Sequence, residues 1–193
     1  CYTSSRTGRA RLWWLWFLAL IPIGFCFLGI LRMPWHMVAP AVLNQILLLF
    51  VAYAMIPPHE LAHALTARAL GGRIYEIRIG VGPVVWEREI KRTLVSLRRY
   101  PVGGFTTLAF PDREYIQLRT LAATGAGIVL SALIVMALRP YYNPDRLVWG
   151  LAIVESLVMV NAILVVINLI PRRLSLGWTR AYTDGGHLLR ILT

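Results

Sequence analysis

Long apolar runs constrain this chain more than any other feature. Four stretches, 12–31, 38–70, 118–138 and 147–170, are long enough for the roughly 20 helical residues that cross the hydrocarbon core of a bilayer. Of 193 residues, 58% are hydrophobic and 15% charged, where a soluble domain carries about a quarter charged. The first run opens with Trp13, Trp14 and Trp16 beside Arg9 and Arg11, an interfacial pattern. No small-residue cleavage site follows before Arg32 and Pro34, so it reads as an uncleaved span rather than a secretory signal. Four spans put both termini on one side of the membrane.

The net charge of +11 comes from 20 basic and 9 acidic residues. The basic residues are scattered between apolar runs, with no separate polar domain to hold a duplex, which argues against nucleic acid as a partner. Their distribution follows topology instead. Seventeen fall at the N-terminus, at Arg68, between Arg73 and Arg119 or after the last run, and only Arg32, Arg139 and Arg146 fall on the other side. The positive-inside rule then makes both termini and the middle loop cytosolic in a multi-pass protein of the cell membrane. The two cysteines, Cys1 and Cys26, provide neither a disulfide framework nor a CxxC metal site; Cys26, inside an apolar run, acts as a small hydrophobe.

The loop 73–112 has a different period. Tyr75, Ile77, Ile79 and Val81 alternate with Glu76 and Arg78, and 84–86, 93–97 and 105–110 are further β-rich runs, punctuated by Gly80, Gly82-Pro83, Lys91-Arg92 and 101–104. This predicts a small sheet of about four strands at the cytosolic face.

His59-Glu60-Leu61-Ala62-His63 is an HExxH motif. Imidazoles four residues apart share one helix face and can bind one Zn²⁺ per chain, while the intervening glutamate reaches the activated water. The expected chemistry makes Glu60 the catalytic base and His59 and His63 metal ligands. An ionisable cluster inside an apolar run is expensive and points to function. Catalytic zinc needs a third protein ligand. Thr66 and Ala69 stand where a metzincin would have Gly and His. Glu76, Glu87 and Glu89 are available, but lie beside basic residues in the strand-like loop. Asp184 is the better candidate, because Gly185 and Gly186 let the backbone turn tightly and bring a short carboxylate close.

With these motifs in this order, the chain from 38 to 189 resembles the site-2 proteases, intramembrane zinc metalloproteases. Their HExxH lies in a core transmembrane helix. Their membrane-associated β hairpin ends in a segment similar to Pro101-Val102-Gly103-Gly104-Phe105, their next core helix carries a GxxxN/S/G pattern resembling Gly127 to Ser131, and their third ends in Asn-x-x-Pro and Asp-Gly, as in Asn168 to Pro171 and Asp184-Gly185. The resemblance implies zinc held by His59, His63 and Asp184, Glu60 as general base and later acid, and Asn168 with the Gly103, Gly104 and Phe105 edge as substrate-holding elements. Gly127 and Ser131 read as helix-packing positions near the site. Two features depart from the pattern: Ile128 replaces a proline, and 172–183, with Trp178, is a longer loop than usual. Either that loop has a gating or docking role, or Asp184 is displaced.

Other positions carry local expectations. Pro57-Pro58 either opens a water-accessible break or starts a helix. Asn161 is expected to bond between helices, Glu155 to pair with Arg146 or Arg139, and His187 to support the metal site or start a helix.

The fold class expected is therefore an α-helical multi-pass membrane protein of about four transmembrane helices with a small cytosolic β insertion. Residues 1–37 form an N-terminal segment with an extra span. Residues 38–193 form a minimal metalloprotease core without PDZ or cystathionine-synthase-type domains: the HExxH helix in 38–70, the β insertion in 73–112, core helices in 118–138 and 147–170, and an Asp-Gly loop and C-terminal helix in 171–193. Expected partners are a transmembrane or membrane-associated protein substrate, the lipid bilayer, and a regulatory membrane protein or second copy. The rival functions are an inactive zinc-bearing membrane scaffold and a soluble zincin.

Overall fold

A computed structural model of the chain describes residues 34–171, 173–176 and 179–192. The first apolar run with its tryptophans, Cys1, Cys26, Arg172 and Trp178 lie outside the described residues. In chain order the elements are α1 (Trp35–Ala69), β1 (Arg73–Ile90), β2 (Thr93–Ala109), α2 (Ile116–Leu138), a 3₁₀ turn (Arg139–Tyr141), α3 (Arg146–Trp149), α4 (Ile153–Leu169), β3 (Arg173–Leu176), β4 (Thr179–Tyr182) and α5 (Asp184–Leu192).

Among the described residues, two helical stretches, His36–Ala69 and Ile116–Tyr141, are long and apolar enough to cross a membrane, and Ile153–Leu169 is a shorter apolar helix. The run 147–170 is not one helix: Gly150 is fully extended after α3, and α4 starts at Ile153. Its 17 residues extend about 25 Å at 1.5 Å per residue, somewhat less than the roughly 30 Å hydrocarbon core. Helix α2 packs against both α1 and α4.

The interior is inverted relative to a water-soluble domain. Its largest fully buried side chains are Glu155, Asn161, Ser96, Ser131 and Ser156, whereas Leu43, Phe50, Leu65, Leu133, Met136 and Val166 are exposed. Where lipid is the solvent, large apolar side chains face outward, and small or polar residues let helices approach and bond to one another. Asn44 shows this at one end of the bundle. Its amide donates to the carbonyls of Leu147 and Gly150, each at 2.9 Å, and accepts from the Ala152 amide at 3.0 Å. It thereby ties α1 to the α3–α4 connection.

Two expected partnerships differ. Glu155 accepts the backbone N–H of Asn143 at 2.9 Å rather than an arginine, because the 143–145 turn folds back over the start of α4. Asn161 donates at 2.8 Å to Leu157 O of its own helix, a local acceptor one turn back that competes with any interhelical one.

Helix α1 runs without interruption through Pro57 and Pro58, so neither proline starts a helix. Proline has no N–H, and the carbonyls of Tyr53 and Ala54 therefore lose their usual partners just ahead of His59. The helix stops at a Schellman turn. Gly71 takes φ +81°, its N–H bonds Arg68 O at 3.1 Å and the Gly72 N–H bonds Ala67 O at 2.8 Å. Gly72 is also sterically required there, since a Cβ would meet the Ala67 carbonyl and the Phe110 ring at 2.8 and 2.9 Å.

Strands β1 and β2 pair antiparallel and both bend, so their register lays out four segments. Ile77 to Ile79 lies between Val95 to Leu97 on one side and Gly104 to Thr106 on the other, while Trp86 to Ile90 pairs with Thr93 to Leu97. Among the described residues, segment 104–109 is consequently an edge, paired on the β1 side only. It runs beside α1, with Gly104 against Glu60 and Phe110 packed with Ala67 and Ala123.

Candidate active site

The HExxH residues fall on a continuous helix whose 3.6-residue period brings His59 and His63 to one face. Their rings stand edge to face with centroids 4.9 Å apart. Both are buried, as is Glu60, and the ligand atoms of the three lie within 4.8 Å of one another.

Asp184 arrives from the far end of the chain. The 172–183 loop does not displace it, because β3 and β4 form an antiparallel hairpin in which Arg173 pairs with Tyr182, so the chain leaves and returns at one place. Thr183 then closes the return: its hydroxyl donates to Ile170 O at 2.7 Å and accepts the Gly186 N–H at 3.3 Å. It thus caps α5 in the manner of an N-cap threonine. Gly185 packs so tightly on the carbonyls of Asn168 and Leu169 that a Cβ there would collide with them. These constraints bring Asp184 Oδ2 to 3.2 Å from His59 Nε2 and 3.3 Å from His63 Nε2. Burial alone would raise the Asp184 carboxyl, but the contacts with the two imidazoles outweigh it and hold the group at about 2. His187 lies in the first turn of α5, its amide bonded to Thr183 O, and burial lowers its imidazole against the opposing pull of Asp184.

The donor set fits a zinc ion. Tetrahedral zinc with bonds of 2.0 to 2.1 Å separates its ligand atoms by about 3.3 Å, the spacing found between Asp184 Oδ2 and each Nε2. His63 Nδ1–H donates to Ala123 O at 2.8 Å, so Nε2 is the ring nitrogen that would face a bound metal. Ser131 Oγ makes a longer contact, 3.5 Å, with His59 Nδ1. Gly127, between Ala123 and Ser131 on the same face of α2, leaves the space open: a Cβ there would stand 2.6 Å from Nε2 of both histidines. Gly127 and Ser131, expected to serve helix packing, also border the imidazoles directly.

The alternative carboxylate Glu76 is taken by Arg78, whose Nη2 and Nε donate to its Oε1 at 2.7 and 2.9 Å. Glu87 and Glu89 are exposed on the sheet. Gly104 adjoins Glu60, and Gly103 before it takes φ +78°, a conformation that favours glycine. Phe105 and Asn168 are half-buried. Three contributors escape sequence reasoning: the Ala123 carbonyl, Thr183 and Thr106, whose hydroxyl donates to Glu60 Oε2 at 2.7 Å. Only Thr183 had a local signal, an N-cap residue immediately before a first-turn aspartate.

A histidine pair and a glutamate on an apolar helix, with a distant carboxylate beside them, is the geometry of a membrane metallopeptidase of the HExxH type. Comparison with protein families agrees. Residues 46–148 match the family model described as Peptidase family M50, and the chain belongs to that family, the site-2 proteases. The resemblance read from the motifs is thereby borne out. Among relatives, the chain is 38% identical over 66 residues to the zinc metalloprotease RasP of Geobacillus kaustophilus, covering 34% of this chain and 16% of that protein. It is 38% identical over 61 residues to the regulator of sigma-W protease RasP of Bacillus subtilis, covering 32% of this chain and 14% of that protein. The chain spans about a sixth of the length of the relatives it matches. Zinc is the metal in the first relative's name, and the group His59, Glu60 and His63 can hold it.

Proposed function

We propose that this chain is an intramembrane zinc metalloprotease that hydrolyses a peptide bond in or near a transmembrane segment of a membrane protein or precursor. In this reading His59, His63 and Asp184 hold the metal and Glu60 is the general base. The observation that carries it is the approach of Asp184 Oδ2 to both Nε2 atoms, at 3.2 and 3.3 Å, beside a buried glutamate. When bound, zinc supplies the Lewis acidity that makes a water molecule nucleophilic at neutral pH. Glu60 accepts the proton released on attack and passes it to the leaving amine. Gly127 keeps side-chain atoms out of the space between the imidazoles, and Ala123 O fixes the His63 tautomer.

A helical substrate hides its scissile carbonyl in backbone hydrogen bonds. The unpaired edge of segment 104–109 beside Glu60 supports strand addition as the means of exposing it, since an edge supplies main-chain bonds without demanding a particular sequence. Gly103, Gly104 and Phe105 begin that edge, and Asn168 at the end of α4 would hold the substrate from the other side. The bias of seventeen basic residues to one face supports a cytosolic β insertion and cytosolic termini. Its partners are then a membrane-protein substrate and the bilayer, with a regulatory membrane protein or second copy compatible with the same surface.

An inactive zinc scaffold would need the two histidines and Asp184 but no glutamate aimed at them. The test is Glu60→Gln. Membranes containing the variant should retain uncut substrates that the active protein removes, with zinc still bound. Equal cleavage by both forms would remove Glu60 from the mechanism.

A further inference from the structure

We propose that Thr106 is a positioning residue for Glu60, so that the strand expected to receive the substrate also orients the base. The inference rests on the reading of Glu60 as the general base. Thr106 lies two residues after Gly104 on β2, and the two-residue period of a strand turns both positions to the same face. That face meets Glu60. Gly104 packs against its Cγ, Cδ and Oε1 so closely that a Cβ would collide with the carboxylate arm. The Thr106 hydroxyl lies 2.7 Å from Oε2 and 3.3 Å from the Glu60 carbonyl oxygen. One residue therefore provides the recess and the other the donor, and together they fix the glutamate side chain from both sides.

The chemistry assigns the two oxygens different work. Oε2 accepts from Thr106, and a carboxylate oxygen engaged by a short, charge-assisted bond is a poor receiver for a second proton. Oε1, packed beside the glycine, is left to take the proton from the attacking water and deliver it to the amine. The threonine side chain is engaged with Glu60 rather than with the docking edge, and its contribution is the orientation of the reacting carboxylate. Such orientation acts on turnover rather than affinity, because a misaimed base loses the near-attack geometry while the docking edge stays intact. Backbone pairing along 104–109 uses main-chain groups that replacement of the Thr106 side chain leaves in place.

The test uses the whole chain in detergent micelles with a fluorogenic single-span reporter peptide bearing helix-destabilising residues. Wild type, Glu60→Gln, Thr106→Val and Thr106→Ser are compared for kcat, KM and zinc content. Thr106→Val keeps the shape of the side chain and removes the donor, and should lower kcat about tenfold or more with KM and zinc content unchanged, whereas Thr106→Ser, which restores the hydroxyl, should recover most of the loss. A kcat for Thr106→Val within twofold of wild type overturns the inference, as does a loss that serine fails to restore or one confined to KM. Turnover by Glu60→Gln equal to wild type would instead defeat the functional reading beneath it, so the two failures are distinguishable.

Discussion

Replacing Gly127 with alanine should empty the metal site while leaving the fold in place. The added Cβ would stand 2.6 Å from Nε2 of His59, 2.6 Å from Nε2 of His63 and 2.6 Å from Cε1 of His59. Ordinary contact begins at 3.4 Å, so each approach is short by about 0.8 Å. The obstructing atoms are ring atoms on the backbone-fixed face of α1, and those rings are themselves held by Ala123 O and Ser131. Relief therefore requires the imidazoles to swing or α2 to back away, by several times the roughly 0.2 Å tolerance of a zinc ligand distance. Loss of supporting contacts to a ligand costs 10 to 100-fold in metal affinity. Displacing two ligands together should cost at least about 100-fold, equivalent to about 2.7 kcal/mol. Zinc content of the purified protein, followed by titration with a competing chelator, measures this directly. Gly125→Ala is the internal control, because a Cβ at Gly125 meets nothing within 4 Å. That variant should bind zinc as wild type does and gain slightly in stability from helix propensity. Gly127→Ala with wild-type zinc affinity and turnover would refute the argument that Gly127 keeps the metal position open.

Thr183→Ala removes the hydroxyl that bonds Ile170 O and caps α5, a loss of about 1 kcal/mol. Faster amide exchange across 184–192 and weaker zinc binding, with α1 exchange unchanged, should follow; protection equal to wild type would mean that another contact docks α5. In the chelated protein the tether of α5 should depend on pH through Asp184. Its carboxyl falls from an ordinary value near 3.8 to about 2 when folded, so the stabilisation is complete above about pH 4 and disappears as the pH falls toward 2. Exchange of 184–192 read across that range should show release only at the acid end, and Asp184→Asn should abolish the dependence. Release already at neutral pH would contradict the assignment.

The parts of the site legible in the sequence were those with a local period. His59 and His63 stand four apart in an apolar run, and helix geometry alone puts them on one face. Gly103-Gly104 and Gly127 to Ser131 could be singled out as small-residue motifs, but that they border Glu60 and the imidazoles depends on packing between elements. Asp184 was marked by the two glycines after it, while its distance from the histidines hung on a loop that could have displaced it. An antiparallel hairpin returns to its origin whatever its length, and that made the insertion neutral. Glu155 and Asn161 found partners other than those expected because the nearest acceptor or donor, Leu157 O one turn back and the Asn143 amide in a folded turn, prevailed over more distant groups. Thr106 left no trace, since its contact spans 46 residues between a strand and a helix and no local pattern encodes it. The double proline is compatible in sequence with a break or a helix start, yet an uninterrupted helix carries it, without the two N–H donors that proline lacks.

His59 and Asp184 are 125 residues apart in the chain, and that interval has a consequence for biosynthesis. With the proposed ligand set, a ribosome delivers the histidines and Glu60 to the membrane well before the aspartate that completes the site. Until α2, α4 and the closing hairpin have followed, a nascent chain carries its base without a finished metal cradle. On the proposed function, that order of ligands would act as a safeguard, withholding proteolysis from the insertion machinery and its other clients until α5 has docked.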